Sequence, residues 1–185
     1  MTAQIPDEFI YNNESFSLVG LKGEGLYCPE NFGIEPYSRC TSCWRGHVMR
    51  YIFANEELIL NSMFVNAKNP PKVNCIEPRA FKNEDNPIFD YYYENLNLKS
   101  EFTGKILLAK DFIDSMYVHM GFQRPMAYKT VIEIRVENGT IISTSDLSKK
   151  MEEYRNVDIS KDAQPLSNSH DEIEKWIKKT FSLDY

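Results

Sequence analysis

Apolar and polar positions along the chain fall into short alternating runs, divided by turns rich in Asn, Gly and Pro. Phe9-Ile10-Tyr11 and Phe16 to Leu21 flank Asn12-Asn13-Glu14, which predicts two strands about a turn. Residues 22–42 carry Gly, Pro, Asn and Ser and read as loop. Residues 43–53 and 58–65 read as paired strands across Ala54-Asn55-Glu56-Glu57. On the first of these strands Trp44, Gly46, Val48 and Ile52 share one face, and Cys43, Arg45, His47, Met49, Tyr51 and Phe53 the other. Neither face is cleanly polar, so both are expected to be at least partly covered.

Residues 66–100 are irregular, with turn signals at Asn69-Pro70-Pro71 and Asn83 to Pro87, a short strand at Val73 to Ile76, and the run Tyr91-Tyr92-Tyr93. Phe102 to Ala109 predicts a strand with a bulge at Gly104. Phe112, Ile113, Met116, Tyr117 and Met120 recur at helical spacing, which predicts a helix over 111–120 ended by Gly121. Residues 130–144 give the clearest hairpin. Ile132, Ile134 and Val136 alternate with Glu133, Arg135 and Glu137, and Asn138-Gly139 suits a turn with two positive φ angles. Arg50 to Asn55 and Glu133 to Asn138 both run from strand into an Asn-containing turn, a faint internal echo.

A second helix is expected over 146–155, with Leu147, Met151 and Tyr154 inward, then a tether over 156–168. Ser169 and Glu172 form a capping box before a third helix over 169–181, whose Ile173, Trp176, Ile177 and Phe181 make one apolar stripe. The fold class implied is α+β in a single domain of residues 1–185. It is predominantly antiparallel β, as a curled sheet, sandwich or barrel, with two or three short helices, one of them C-terminal. Long crossover helices between strands are missing, which argues against a doubly wound parallel sheet.

Composition narrows the function classes. At 185 residues, with 42% hydrophobic and 26% charged residues, the chain can bury a core without disulfides or metal. A net charge of −6 with only short Lys pairs argues against nucleic acid. The first residues lack the basic and apolar regions of a signal peptide, and no apolar run approaches a membrane span, so a cytoplasmic location without membrane association is expected. The four cysteines are then expected as thiols.

Cys40-Thr41-Ser42-Cys43-Trp44-Arg45-Gly46-His47 is the densest chemical cluster. Cys40, Cys43 and His47 are weak zinc candidates, because Cys28 and Cys75 stand apart and a structural site wants four ligands. A redox CxxC wants a helix N-terminus to lower its thiol pKa, and here strand is expected instead. On a strand Cys43 and His47 would lie about 13 Å apart, too far for a nucleophile–base pair. Arg45 on a covered face must meet either a structural carboxylate or an anionic ligand. Trp44, Arg45 and His119 are the ligand-binding candidates; a place at a helix C-terminus would by itself account for His119. No catalytic motif and no cofactor-binding pattern is present, so no cofactor is expected.

Several segments resemble a family of uncharacterised bacterial proteins: Ile5-Pro6-Asp7, Ser17 to Gly20, Cys43-Trp44-Arg45-Gly46, Leu107 to Phe112, Tyr117-Val118-His119-Met120-Gly121-Phe122 and Glu137-Asn138-Gly139. The likeness spans roughly residues 5–155 and carries no activity, cofactor or site. The family pattern has a small hydroxyl residue where Cys40 stands, which implies that the CxxC is private to this chain. The leading expectation is a binding or interaction module acting through a protein partner, in the manner of an immunity or regulatory protein. Acidic charge would steer a basic partner toward it. The alternative is an enzyme or small-ligand (anion) binder with a pocket in the sheet. A homo-oligomer is compatible with either.

Overall fold

Three two-residue turns set the register of the sheet. Asn12-Asn13 (φ 51° and 62°), Asn55-Glu56 (50° and 66°) and Asn138-Gly139 (47° and 76°) all hold left-handed backbone. Asn tolerates that region better than other side chains, and paired positive φ angles match the twist of tight hairpins. The computed structural model describes residues 2–81, 86 and 88–158. The first turn joins β1 (Glu8–Tyr11) to β2 (Glu14–Glu24), the second β3 (His47–Ala54) to β4 (Glu57–Val65), and the third β9 (Tyr128–Glu137) to β10 (Thr140–Asp146).

With β8 (Thr103–Phe112) these strands run in the order β10-β9-β8-β2-β1-β3-β4, and β4 returns to β10, closing a seven-stranded barrel. Within this wall β1 and β3 run parallel, with Phe9 opposite Tyr51; the other wall pairings are antiparallel. Three short strands, β5 (Arg79–Ala80), β6 (Tyr91–Tyr93) and β7 (Leu98–Lys99), extend the sheet beyond the wall. β6 and β7 pair with β4 where it diverges from β10.

The closing seam is narrow. Only Glu57 and Thr140 are register partners, flanked by Leu58 N–H to Gly139 O (2.7 Å) and Ile141 N–H to Glu56 O (2.9 Å). The fully buried Ser100 reinforces it. Its N–H donates to Leu58 O (2.9 Å) and its hydroxyl to Gly25 O (2.9 Å), while Gly139 N–H donates to Phe102 O (2.8 Å).

Side chains fill the barrel. Phe9, Phe16, Met49, Tyr51, Leu58, Leu60, Ile106, Leu108, Ile134 and Val136 belong to one buried cluster, capped by loop residues such as Ile34 and Val73. The Tyr51 hydroxyl donates to Tyr27 O at 3.0 Å, and burial pushes its pKa far up, so it stays a neutral donor. On the outside of β8 and β9, Leu107, Ala109 and Val131 form a second cluster with Met151 of α1 (Ser148–Asp158). This double cover explains the unbroken apolar run Ile106 to Ala109.

The structure corrects several expectations. Of the helices expected, the one near 146–155 occurs among the described residues, as α1, and Tyr154 on it is exposed while Met151 is buried. No helix spans 111–120. Phe112 is instead the last residue of β8, opposite Tyr128, and only a 3₁₀ turn at Asp114–Met116 follows. The strand expected from residue 43 begins at His47, because Gly46 adopts φ 70°. The irregularity in β2–β8 pairing lies between Leu18 and Gly20, not at Gly104. Val73 to Ile76 is a single bridge about a tight turn. The tether beyond residue 158 and the helix at 169–181 lie outside the described residues.

Gly139 offers a direct check on the seam. A Cβ there would sit 1.9 Å from Ser100 O, at φ 76°. Gly139→Ala is expected to lower stability by about 2–4 kcal/mol, read as a fall in the denaturant midpoint. An unchanged midpoint would show that this junction does not hold the barrel closed.

Candidate functional site

Arg45 sits where three separate stretches of chain meet. Its guanidinium forms a two-pronged pair with Asp7, Nη1 to Oδ2 at 3.0 Å and Nη2 to Oδ1 at 3.1 Å, and Nη2 also donates to Ile5 O at 3.1 Å. Asp7 Oδ1 accepts a further bond from Met49 N–H at 2.8 Å. The carboxylate thus joins the 40–46 turn to the start of β3 and to the segment leading into β1. Such parallel N–H···O bonds suit the planar guanidinium and would be lost with Lys. The other face of Arg45 lies over the Phe122 ring, 5.3 Å from its centre.

The turn that presents Arg45 is built from tight backbone contacts. Cys43 N–H donates to Cys40 O at 3.4 Å and Gly46 N–H to Cys43 O at 3.1 Å. A Cβ on Gly46 would meet Tyr37 O at 2.2 Å, so the glycine is dictated by the close approach of the 37–39 backbone. The amino-terminal strand of chain is threaded between this turn and the 117–123 loop. Gln4 Oε1 accepts from Trp44 N–H (2.9 Å), its Nε2 donates to Thr41 O (2.8 Å), and its backbone N–H donates to Gly121 O (2.8 Å). Ala3 N–H donates to the Tyr117 hydroxyl at 3.2 Å. The 117–123 loop is itself closed by Gln123, whose amide bonds both the N–H (2.9 Å) and the carbonyl (2.8 Å) of Val118.

Trp44, Arg45 and His119 therefore belong to one corner of the molecule. Arg45 is engaged with Asp7, and Trp44 is 51% exposed. The His119 ring stands edge-on to Tyr117, 5.0 Å between centres, and is exposed on a loop, so the helix C-terminus invoked for it does not exist. Sequence reasoning did not single out Asp7, Gln4 or Phe122. Each partners Arg45 or Trp44 across more than thirty residues, and no local pattern announces such pairs.

The thiols and His47 are arranged differently from expectation. Cys43 lies in the turn, not on β3, and is buried; its Sγ–H donates to His47 O at 3.4 Å. The 13 Å separation expected for a continuous strand thus loses its premise. Burial raises the Cys43 pKa, with the nearby Arg45 charge opposing, so the thiol stays protonated and unreactive at neutral pH. Cys40 Sγ lies 3.2 Å from Ser42 Oγ. His47 donates from Nδ1 to Arg45 O (3.1 Å), and burial, then the Arg45 charge, lowers its pKa. Among the described residues no group of three or more His, Cys, Asp or Glu side chains is placed to hold a metal ion.

Two clefts open among the loops. One of about 540 Å³ runs between residues 33–37 and 67–71. The other, about 310 Å³, is lined by Tyr37, Arg39, Phe81, Phe89, Asp90 and Tyr91, where Asp90 pairs with Arg39 at 2.6 Å and accepts the Tyr37 hydroxyl. Neither is lined by Trp44, Arg45 or His119. No protein-family model matches the sequence, and searches of curated proteins and of solved structures returned no match.

Two outcomes test this account of the corner. Asp7→Ala strands the half-buried Arg45 and the Met49 N–H, and is expected to cost about 1–3 kcal/mol in chemical unfolding. Arg45→Lys should recover only part of that loss. His47 has a folded pKa below its ordinary value, so the unfolded chain takes up the proton first as pH falls. Its contribution to stability is full above about pH 6.5 and is lost progressively below it. His47→Gln should flatten the stability–pH slope between about pH 6.5 and 5; an identical slope would place the proton uptake elsewhere.

Proposed function

We propose that this chain is a cytoplasmic binding module that acts through a protein partner, and that the corner around Arg45 is its contact surface. The observation that carries the reading is the exposure of large apolar side chains there. Trp44, Tyr117, Met120 and Phe122 all stand in solvent, on the two loops that Gln4 and Arg45 tie together. A monomer rarely leaves such groups clustered in water without use, and Trp, Tyr and Met are favoured at interface centres. The loops are held rigid by the Asp7–Arg45 pair and the Gln123 clamp, so little ordering cost is left for binding.

Further features favour a surface over an interior site. The barrel lumen is occupied by the side chains of the main buried cluster. No helix among the described residues is long and apolar enough to cross a membrane. The net charge of −6 suits a basic partner drawn in by long-range attraction, in the manner of an immunity or regulatory protein. Three of the six segments that resemble a bacterial family, Ile5 to Asp7, Cys43 to Gly46 and Tyr117 to Phe122, converge on Arg45. That convergence is what a shared contact surface would require.

The test compares the full chain with Trp44→Ala. Immobilised wild-type chain should retain one protein at fixed stoichiometry, with affinity falling as salt rises. Trp44→Ala should weaken that binding at least about thirtyfold while leaving the melting temperature unchanged. Retention that is indifferent to Trp44, or thermal stabilisation by a small anion bound in either cleft, would overturn this reading.

A further inference from the structure

Cys40 and Cys43 are the two ends of one turn, and this gives the pair a chemistry that a strand would deny it. Cys43 N–H donates to Cys40 O at 3.4 Å, which closes the turn just ahead of Trp44. A turn of this kind holds its first and last Cα atoms less than about 7 Å apart. A disulfide wants Cα atoms about 4.4–6.8 Å apart, so the backbone spacing suits one. Both side chains also enter the same small apolar cluster. Cys43 is buried there with Val48 and Phe89, and Cys40 packs against them. The two thiols differ in access. Cys43 is buried and donates to His47 O, whereas Cys40 is half-buried, with Sγ 3.2 Å from Ser42 Oγ.

We propose that Cys40 and Cys43 are a modification site: a low-molecular-weight disulfide converts them reversibly into a disulfide of their own, and the new bond resets the turn that presents Trp44. The inference rests on the reading of the Trp44 corner as a contact surface and adds its control. Cys40 is the thiol that a reagent reaches. Its thiolate attacks one sulfur of the small disulfide, forming a mixed disulfide and expelling one small thiolate. Cys43 then loses its proton, and its sulfur attacks the Cys40 sulfur and expels the second small thiolate. The protons given up by the two cysteines go to the two small thiols released. Two cysteine thiols are oxidised and one small disulfide is reduced. Burial keeps Cys43 protonated and away from the reagent, yet its place at the other end of the turn makes the second step intramolecular. The bond removes the S–H that donates to His47 O. Trp44 follows directly, its N–H bonded to Gln4 Oε1 at 2.9 Å, so a twist of the Cys43 backbone passes to the exposed indole. In a cytoplasmic protein such a bond is normally transient and regulatory.

The experiment equilibrates the full chain with mixtures of oxidised and reduced glutathione, alkylates the remaining thiols and digests with trypsin. Cleavage after Arg39 and Arg45 releases residues 40–45 as one peptide, so its mass reads the pair directly. In oxidised glutathione the peptide should lose both alkylation sites and two hydrogens, and reduced glutathione should restore them. A chain with Trp176→Phe keeps Trp44 as its sole tryptophan, and acrylamide quenching of that residue should shift on oxidation and return on reduction. Adding Cys40→Ser should abolish the shift. Two alkylated cysteines at every glutathione ratio would overturn the proposal. So would a glutathione adduct on Cys40 that never resolves, a disulfide that leaves Trp44 quenching unchanged, or a shift that survives Cys40→Ser. The peptide mass decides this inference, whereas the Trp44→Ala binding comparison decides the contact surface, so the two fail separately.

Discussion

Closure of the barrel rests on very few bonds. Most neighbouring wall strands share long ladders, yet β4 and β10 touch at a single register pair, Glu57 and Thr140, with one backbone bond on each side. An open seven-stranded sheet would expose the inner faces of β3, β4, β8 and β9, so the seam decides whether the buried cluster stays dry. Ser100 carries much of this duty. Buried and fully bonded, it bridges Leu58 to Gly25 and fills the gap that opens as β4 turns away. The short strands β6 and β7 then take over the exposed edge of β4, which would otherwise present unpaired backbone groups.

The seam also gives the internal echo a physical meaning. The two turns of similar sequence, after Arg50 to Asn55 and after Glu133 to Asn138, are the ones that meet there. Each lends a carbonyl from its turn to the N–H of a residue just beyond the other turn. Two hairpins of like construction thus embrace each other, which accounts for the resemblance by shared geometry.

The hairpins were legible because their signals are local. Asn at left-handed positions and strict alternation on β9 both act within a few residues, and the structure follows them closely. The parallel pairing of β1 with β3 left no such trace, since it depends on Phe9 stacking on Tyr51 and on Glu8 meeting Arg50 across forty residues. The helix expected over 111–120 failed for an instructive reason. Phe112 and Met116 are apolar because they pack on the cluster beneath α1, whereas Tyr117 and Met120 stand in solvent, so helical spacing arose from two unrelated roles. Arg45 was identifiable as a residue in need of a partner; that the partner is Asp7, and that Phe122 lies over it, required the fold.

The distance along the chain between Glu57 and Thr140 bears on how the protein is made. A ribosome adding about 5–20 residues per second would leave β4 waiting on the order of 4–16 s for the strand that completes the wall. The Tyr91–Tyr93 and Leu98–Lys99 strands, which pair with β4 in the complete fold, are synthesised within that interval. Paired early, these short strands would give the nascent sheet a temporary hem against neighbouring chains before its last stave arrives.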